Sequence, residues 1–291
     1  MRSLVNPFEI GGKWYKANLH THTTISDGLL SPRRRVAQYR RAGYNVLALT
    51  DHGRGSDVRG LSDGRMLVVG GIELHPTRPR PCHLVGLNVP RDFVCRDGDD
   101  ANRCIADIRQ AGGAAVLAHP YWCGQAYCDF HMLRGLAAVE VYNTTCDRCG
   151  RPCSENEWAY ALSHGMFLPA VGVDDTHGGI GAVDEFGSWT WLKMPSATAA
   201  NVVRAVAAGA GYASCGPKVH QFRCRDGKIR LRCSPAAKIQ FVSEPSLGAT
   251  RRADAGKAIV SFTVDLPDWP FVRAVVTDAA GRKAWTNPIV L

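Results

Sequence analysis

NLHTHTTISDG, residues 18–28, sets two histidines one residue apart and places an aspartate five residues after the second. On an extended strand His20 and His22 project to the same side. By itself the pair fits either a polar strand end at the surface or half of a metal site. What the rest of the chain brings beside it decides between them.

Downstream, short apolar runs recur: NVLALT (45–50), MLVVGGIE (66–73), AAVLAH (114–119), AAVEVY (137–142), FLPAVGV (167–173) and SWTWLKM (188–194). Each is nearly continuous in hydrophobicity, as expected of parallel strands covered on both faces. Helix signals fall between them. SPRRRVAQYRRAG has Ser31 as N-cap, Pro32 at the first helical position and Gly43 as stop. DGDDANRCIADIRQAGG opens with acids and closes on Gly112 and Gly113. SENEWAYALSHG runs from a Ser154 cap to Gly165, and SATAANVVRAVAAG runs from Ser196 to Gly209. This alternation predicts an α/β fold, either a parallel barrel or a doubly wound sheet. HLVGLNV (83–89) follows Glu73 too closely for a helical crossover, so a hairpin-like turn is expected there. After Gly216-Pro217 the helical period disappears and only strand-like runs remain, which predicts an α/β unit over 1–217 and a small all-β unit over 218–291.

The titratable residues map onto the strand ends. His20 and His22 close the first strand, Asp51 and His52 follow NVLALT, and Glu73 ends VVGGIE. His83 opens HLVGLN, His119 ends AAVLAH, and Asp175 and His177 follow LPAVGV. In a parallel barrel the carboxyl ends of the strands form one face, so these positions converge. A single histidine after a buried strand is usually a hydrogen-bonded structural residue. Five or more with carboxylates leave costly desolvated polar groups unless a cation binds them, and imidazole with carboxylate suits zinc, manganese or iron.

Composition narrows the partners. No stretch approaches the ~20 apolar residues of a membrane span, and the first twenty residues carry a single Arg and no leader-like apolar segment, so a cytoplasmic location is expected. The formal charge of +9, with 27 of 35 basic residues Arg, favours anionic substrates, although RRR at 33–35 and RR at 40–41 read equally well as a solvated helix face. Eleven cysteines include one knuckle, CDRCGRPC, with Cys146, Cys149 and Cys153; a zinc ribbon pairs two, so scattered reduced thiols are the better reading.

NLHTHTTISDG, LTDHG, GIE, HLVGL, LAHP and VDDTH, in this order over residues 14 to 216, resemble the motifs of the polymerase and histidinol phosphatase (PHP) superfamily. WYKANLHTHT and GRKAWTNPI resemble the branch that contains carbamate-hydrolysing enzymes. The resemblance implies a distorted (β/α)7 barrel with two or three divalent ions, zinc, manganese or iron, in its mouth. Carried over by motif, His20, His22, Glu73 and Asp175 hold one ion. Glu73 bridges to a second at His83 and His119, and Asp27, His52 and His177 hold a third. Asp27 stands where many relatives have His. Glu73 and Asp175 are also catalytic candidates, and Asp51 and Asp174 adjoin ligands they could orient. His75, two residues past Glu73, either faces the same opening or is a loop residue. Arg54 is a candidate phosphate clamp. Glu140 and Asn143 line the pocket or merely finish their strand, while His131, His164 and His220 read as structural.

The expected chemistry is hydrolysis. Two ions a few Å apart lower the pKa of a shared water and neutralise charge developing on the ester oxygen. A phosphoesterase acting on a small anionic substrate leads; a carbamate or carboxylic ester hydrolase on the same site comes second. Nucleic acid ranks below a small ester as partner because residues 218–291 lack an aromatic-rich binding signature. A nuclease or nucleic-acid-binding module is therefore third, and homo-oligomerisation is left open.

Overall fold

The computed structural model describes residues 4–291; Met1–Ser3, part of the stretch read above for a leader, lie outside them. The fold is mixed α/β. β1 (Lys13–Asn18), β2 (Val46–Leu49) and β3 (Leu67–Leu74) lie side by side and parallel. β4 (His83–Leu87) runs antiparallel between β3 and β5 (Ala114–Ala118), then β6 (Ala138–Asn143) and β7 (Ala170–Val173) continue parallel to β5. On its other side β1 pairs antiparallel with β8 (Trp189–Met194), and β8 with β9 (Gly211–Ser214).

The row of strands returns on itself at one end. Past β1, Thr21 bridges Thr176 in parallel, His22 N–H donates to Thr176 O (3.0 Å), and Asp175 N–H donates to His20 O (2.9 Å). The carboxyl ends of the parallel strands and the start of antiparallel β4 therefore share one mouth. Small side chains permit this closeness: Ala17, Ala48, Val69, Val85, Val116, Ala138 and Val171, one from each of the seven strands, form a single buried cluster. The outer layer holds α1 (Pro32–Arg41), α2 (Ala101–Gln110), the short α3 (Tyr127–Phe130) and α4 (Glu155–Ser163). A second cluster joins Ile105 and Ile108 of α2 to Trp158 of α4, whose indole N–H donates to Leu168 O (2.8 Å). α5 (Ala199–Ala208) adds Val202, Ala205 and Val206 to the inner cluster.

The remaining strands are β10 (Val219–Arg225), β11 (Lys228–Ala236), β12 (Lys238–Val242), β13 (Gly248–Arg252), β14 (Ile259–Asp265), β15 (Phe271–Thr277), β16 (Lys283–Thr286) and β17 (Ile289–Val290). β16 pairs with β9, so the large sheet crosses residue 217 without a break and extends through β15 and β12 to β13. β10, β11 and β14 make a separate three-stranded sheet. Its apolar side, with Phe222, Ile229 and Leu231, packs on Phe241, Val272 and Ala274, and Phe241 stacks on Phe262 at 4.8 Å.

Several local expectations need correction. SWTWLKM is antiparallel on both sides, and its burial alternates: Thr190, Leu192 and Met194 face in while Trp189, Trp191 and Lys193 are half-exposed. Ser31 and Ser154 stand at the N-cap positions as expected but make no side-chain cap; Ser154 Oγ instead accepts from Tyr121 N–H (3.1 Å). The cap of α5 is Thr198, not Ser196, with Thr198 Oγ1 accepting from Asn201 N–H (3.2 Å). HLVGL does pair antiparallel with β3, as a close return requires.

Candidate metal centre

The first ligand segment leaves β1 through Asn18, whose amide donates to Asp174 (2.7 Å) and whose oxygen accepts from His20 N–H (3.3 Å). The loop 23–28 then folds back over His22. A Cβ at Gly28 would lie 2.6 Å from the His22 carbonyl, so only glycine lets this turn close. Asp51 ties the loop down, accepting from Thr23 N–H (2.8 Å), Thr23 Oγ1 and Ser26 Oγ (2.9 Å). His119 and Asp175, each directly beyond or just past a strand end, adopt left-handed backbone angles, φ 29° and 56°. Such conformations cost about 1–3 kcal/mol in a non-glycine residue and concentrate at functional sites.

Glu73 is the hub. Its Oε2 lies 3.1 Å from His20 Nε2, 3.1 Å from His22 Nε2 and 3.0 Å from His52 Nδ1. Its Oε1 lies 2.9 Å from His83 Nδ1 and 3.4 Å from His119 Nε2, with His75 Nε2 at 3.8 Å. Asp175 Oδ1 sits 3.2 Å from His20 Nε2 and 3.0 Å from His22 Nε2. Asp27, half-exposed, reaches His52 and His177, each at 3.4 Å. Ligand atoms thus converge, all within 4.8 Å of one another, in His20–His22–Glu73–Asp175, in His22–Asp27–His52–His177 and in His83–His119–Cys123.

Burial alone would drive His20 and His22 toward neutrality, but Asp175 and Glu73 outweigh it, and His22 is pushed up to about 9. His119 is likewise raised against its burial, by Cys123 and Glu73. Burial would raise Glu73, yet His20, His119 and His22 hold it well below the usual carboxylate range, and Asp175 is lowered for the same reason. His83 and His177 are lowered, chiefly by burial. Glu73 Oε2, Asp175 Oδ1 and His52 Nδ1 are buried without a partner in hydrogen-bond geometry. Buried charge without such a partner is costly. Divalent cations fit this donor set.

The structure gathers nearly all the sequence candidates. His20, His22, Asp27, His52, Glu73, His83, His119, Asp175 and His177 surround one centre, and His75 stacks on His83 at 3.9 Å beside it. Three candidates stand apart. Arg54, exposed, borders a different cavity of about 360 Å³ with Asp57 and Arg91 and is not among the residues lining the one over this centre. Asp51 and Asp174 orient no imidazole. Asp51 holds the 23–28 loop, and Asp174, its pKa raised to about 6 by burial, accepts from Asn18, Tyr39, Thr144 and the amides of Phe186 and Ser188. The orienting carboxylate is Glu140, at 2.8 Å from His20 Nδ1. A charged residue inside the apolar run AAVEVY was its signal in the sequence.

The cavity over the centre measures about 320 Å³, and Trp122, Thr145, Cys146, Arg148 and Cys149 complete its wall. Trp122 packs edge-on against His83 and His119. Arg148 was not singled out from sequence, since nothing in CDRCGRPC marks which side chain turns to the mouth. All eleven cysteines are free. Among the described residues Cys146, Cys149 and Cys153 do not converge as a ligand group.

No protein-family model matches the chain. A 5'-3' exoribonuclease of Haemophilus influenzae is 36% identical over 81 residues, which are 25% of this chain and 28% of that protein, so the likeness spans about a quarter of either. Among solved structures, an amidohydrolase from Chromobacterium violaceum with bound sulfate superposes on 56% of this chain and 88% of its own, at 17% identity and a TM-score of 0.43. A two-domain protein of Bacteroides vulgatus, containing a predicted PHP-like metal-dependent phosphoesterase, is 17% identical with a TM-score of 0.57 over 95% of this chain and 94% of that one. Over nearly its whole length, this chain is similar in fold to that two-domain protein.

Proposed function

We propose that this chain is a metal-dependent phosphoesterase, with residues 1–217 as a distorted seven-stranded barrel that holds the centre and 218–291 as an accessory β unit. The observation that carries the reading is Glu73: one buried carboxylate within 3.4 Å of five imidazoles, with Oε2 lacking a hydrogen-bond partner. His20, His22, Glu73 and Asp175 would hold one divalent cation, Glu73 with His83 and His119 a second, and Asp27, His52 and His177 a third. Such cations, when bound, supply Lewis-acid polarisation of the ester and acidify water. The chain's own groups do the rest. Glu140 fixes His20 through Nδ1, Trp122 shields one side of the cavity, and Arg148 offers its planar fork to an anionic ester.

Arg148 in the wall supports a phosphoric ester. The Bacteroides vulgatus protein, which contains a predicted PHP-like metal-dependent phosphoesterase, and the 5'-3' exoribonuclease point the same way. Trp122 favours a second reading, hydrolysis of a carbamate or carboxylic ester. That reading loses ground because, among the described residues, Trp122 has no phenylalanine or tyrosine beside it in the cavity wall. Manganese- or zinc-loaded protein should hydrolyse p-nitrophenyl phosphate or its bis-ester. Turnover of p-nitrophenyl acetate alone, with metal bound, selects the second reading instead.

A further inference from the structure

The three-stranded sheet carries a charge pattern that the metal centre does not use. Along β10 and β11, Phe222, Ile229, Leu231 and Cys233 face the core, so Arg223, Arg225, Lys228, Arg230 and Arg232 take the opposite side. The register sets like against like: Arg223 opposes Arg230 and Arg225 opposes Lys228, while Arg232 opposes Gln221. β14 adds Ser261, Thr263 and Asp265 across from Arg232, Arg230 and Lys228. Like charges directly opposite in a sheet are destabilising. Acids relieve little of it. Lys228 meets Asp265 at 2.6 Å and Arg225 lies 3.8 Å from Asp226, but Arg223, Arg230 and Arg232 have no carboxylate partner among the described residues. Exposed guanidiniums elsewhere do find one, as in Arg78–Asp97 and Arg282–Asp278. Arg251 of β13 extends the strip, its Nη1 3.3 Å from Ser261 O.

We infer that this sheet face binds the phosphate backbone of a single-stranded nucleic acid. Cations in rows about 4.8 Å apart across strands and about 6.8 Å apart along them suit a chain of repeated phosphates better than one small anion. Arginine forks match phosphate oxygens, and Gln221, Ser261 and Thr263 between them offer the neutral hydrogen bonds that backbone contacts use. The rows contain no apolar side chain to enter a lipid surface, which a membrane-binding face requires. Because no base-reading groove is formed, binding is independent of sequence. The inference stands apart from the metal centre and survives or fails without it.

The test is fluorescence anisotropy of a labelled 20-mer oligouridylate titrated with the full chain in EDTA, over a range of salt. Binding should weaken with salt at a log–log slope of about −0.7 per phosphate contact. R223E/R230E/R232E should weaken binding at least 10-fold and reduce the slope by about 2. The neutral R223Q/R230Q/R232Q should act in the same direction while its melting temperature stays level or rises, since it removes opposed charges. Hydrolysis of p-nitrophenyl phosphate by the metal-loaded variants should match the parent. Absence of binding at low salt, an unchanged slope in both variants, or binding to phosphatidylserine vesicles but not to the oligomer overturns the inference.

Discussion

His20 and Glu140 meet at 2.8 Å, Nδ1 to Oε1, with both side chains buried. Glu140 Oε2 also accepts from His119 N–H (3.0 Å) and Asn143 Nδ2 (2.9 Å), so one carboxylate fixes a ring and the backbone of a second ligand. A carboxylate on Nδ1 keeps the proton there and leaves Nε2 free for a cation, and removing such partners costs about 10–100-fold in metal affinity. Glu140→Leu should therefore weaken metal binding by about that factor, measured by competition with a chelator. Glu140→Gln, which keeps an acceptor, should recover part of it.

The charge state of the centre makes its behaviour depend on pH. With His22 raised to about 9, the metal-free centre holds protons at neutral pH that a cation must displace. Metal affinity should therefore climb between about pH 6 and 9. The metal-free protein should show the opposite trend in stability. A histidine raised above its unfolded value of ~6.5 contributes stability that is complete below ~6.5 and is lost as pH rises through about 9. Thermal melts of EDTA-treated protein across that range test this; a melting temperature that rises with pH contradicts it.

Asp51 belongs to the loop rather than to the chemistry, and that makes a separable prediction. Its removal leaves Thr23 N–H without its acceptor and Ser26 Oγ with Asp27 as its one carboxylate acceptor, at a cost of about 1.5–3 kcal/mol for hydrogen bonds to a charged group. Because the loop carries Asp27, Asp51→Ala should lower occupancy of the His52–His177–Asp27 group before that of the His20–Glu73 group. Elemental analysis at limiting metal would show a smaller metal-to-protein ratio with residual hydrolysis retained.

How much of this was legible follows from which property each residue expresses. The histidines and carboxylates that gather at the mouth were readable at the ends of long apolar runs, because a strand buried on both faces announces itself and its end is fixed in space by the mouth. Asp51 shows the limit: its place beside His52 is written in the sequence, but the direction of its carboxylate depends on Thr23 and Ser26 arriving from another loop. Trp189 and Trp191 made SWTWLKM look buried on both faces, and the polarity pattern misleads further, because Thr190 faces in while both tryptophans are partly exposed. The arginine rows of β10 and β11 were visible as strands only. That they face each other follows from the two-residue turn Asp226–Gly227, both at positive φ, which pairs Arg225 with Lys228 and Arg223 with Arg230.

Arg148 separates the two ester readings. Its Nη2 lies 3.0 Å from Asp184, half its surface is exposed, and it stands in the cavity wall above the ligands. Asp184 also accepts from the amides of His177 (2.9 Å) and Gly178 (3.0 Å), so the guanidinium is anchored to the same turn that carries a ligand. A substrate phosphate that uses this fork loses a charge-assisted contact in Arg148→Ala, worth about 1.5–3 kcal/mol, or roughly 10–100-fold. The loss should fall mainly on KM for phosphate esters if the contact is equal in the ground and transition states. Turnover of an uncharged carboxylic ester should be unaffected, because that ester carries no anion for Arg148 to hold. Equal losses on both substrates would assign Arg148 to holding the His177 turn through Asp184 rather than to the ester.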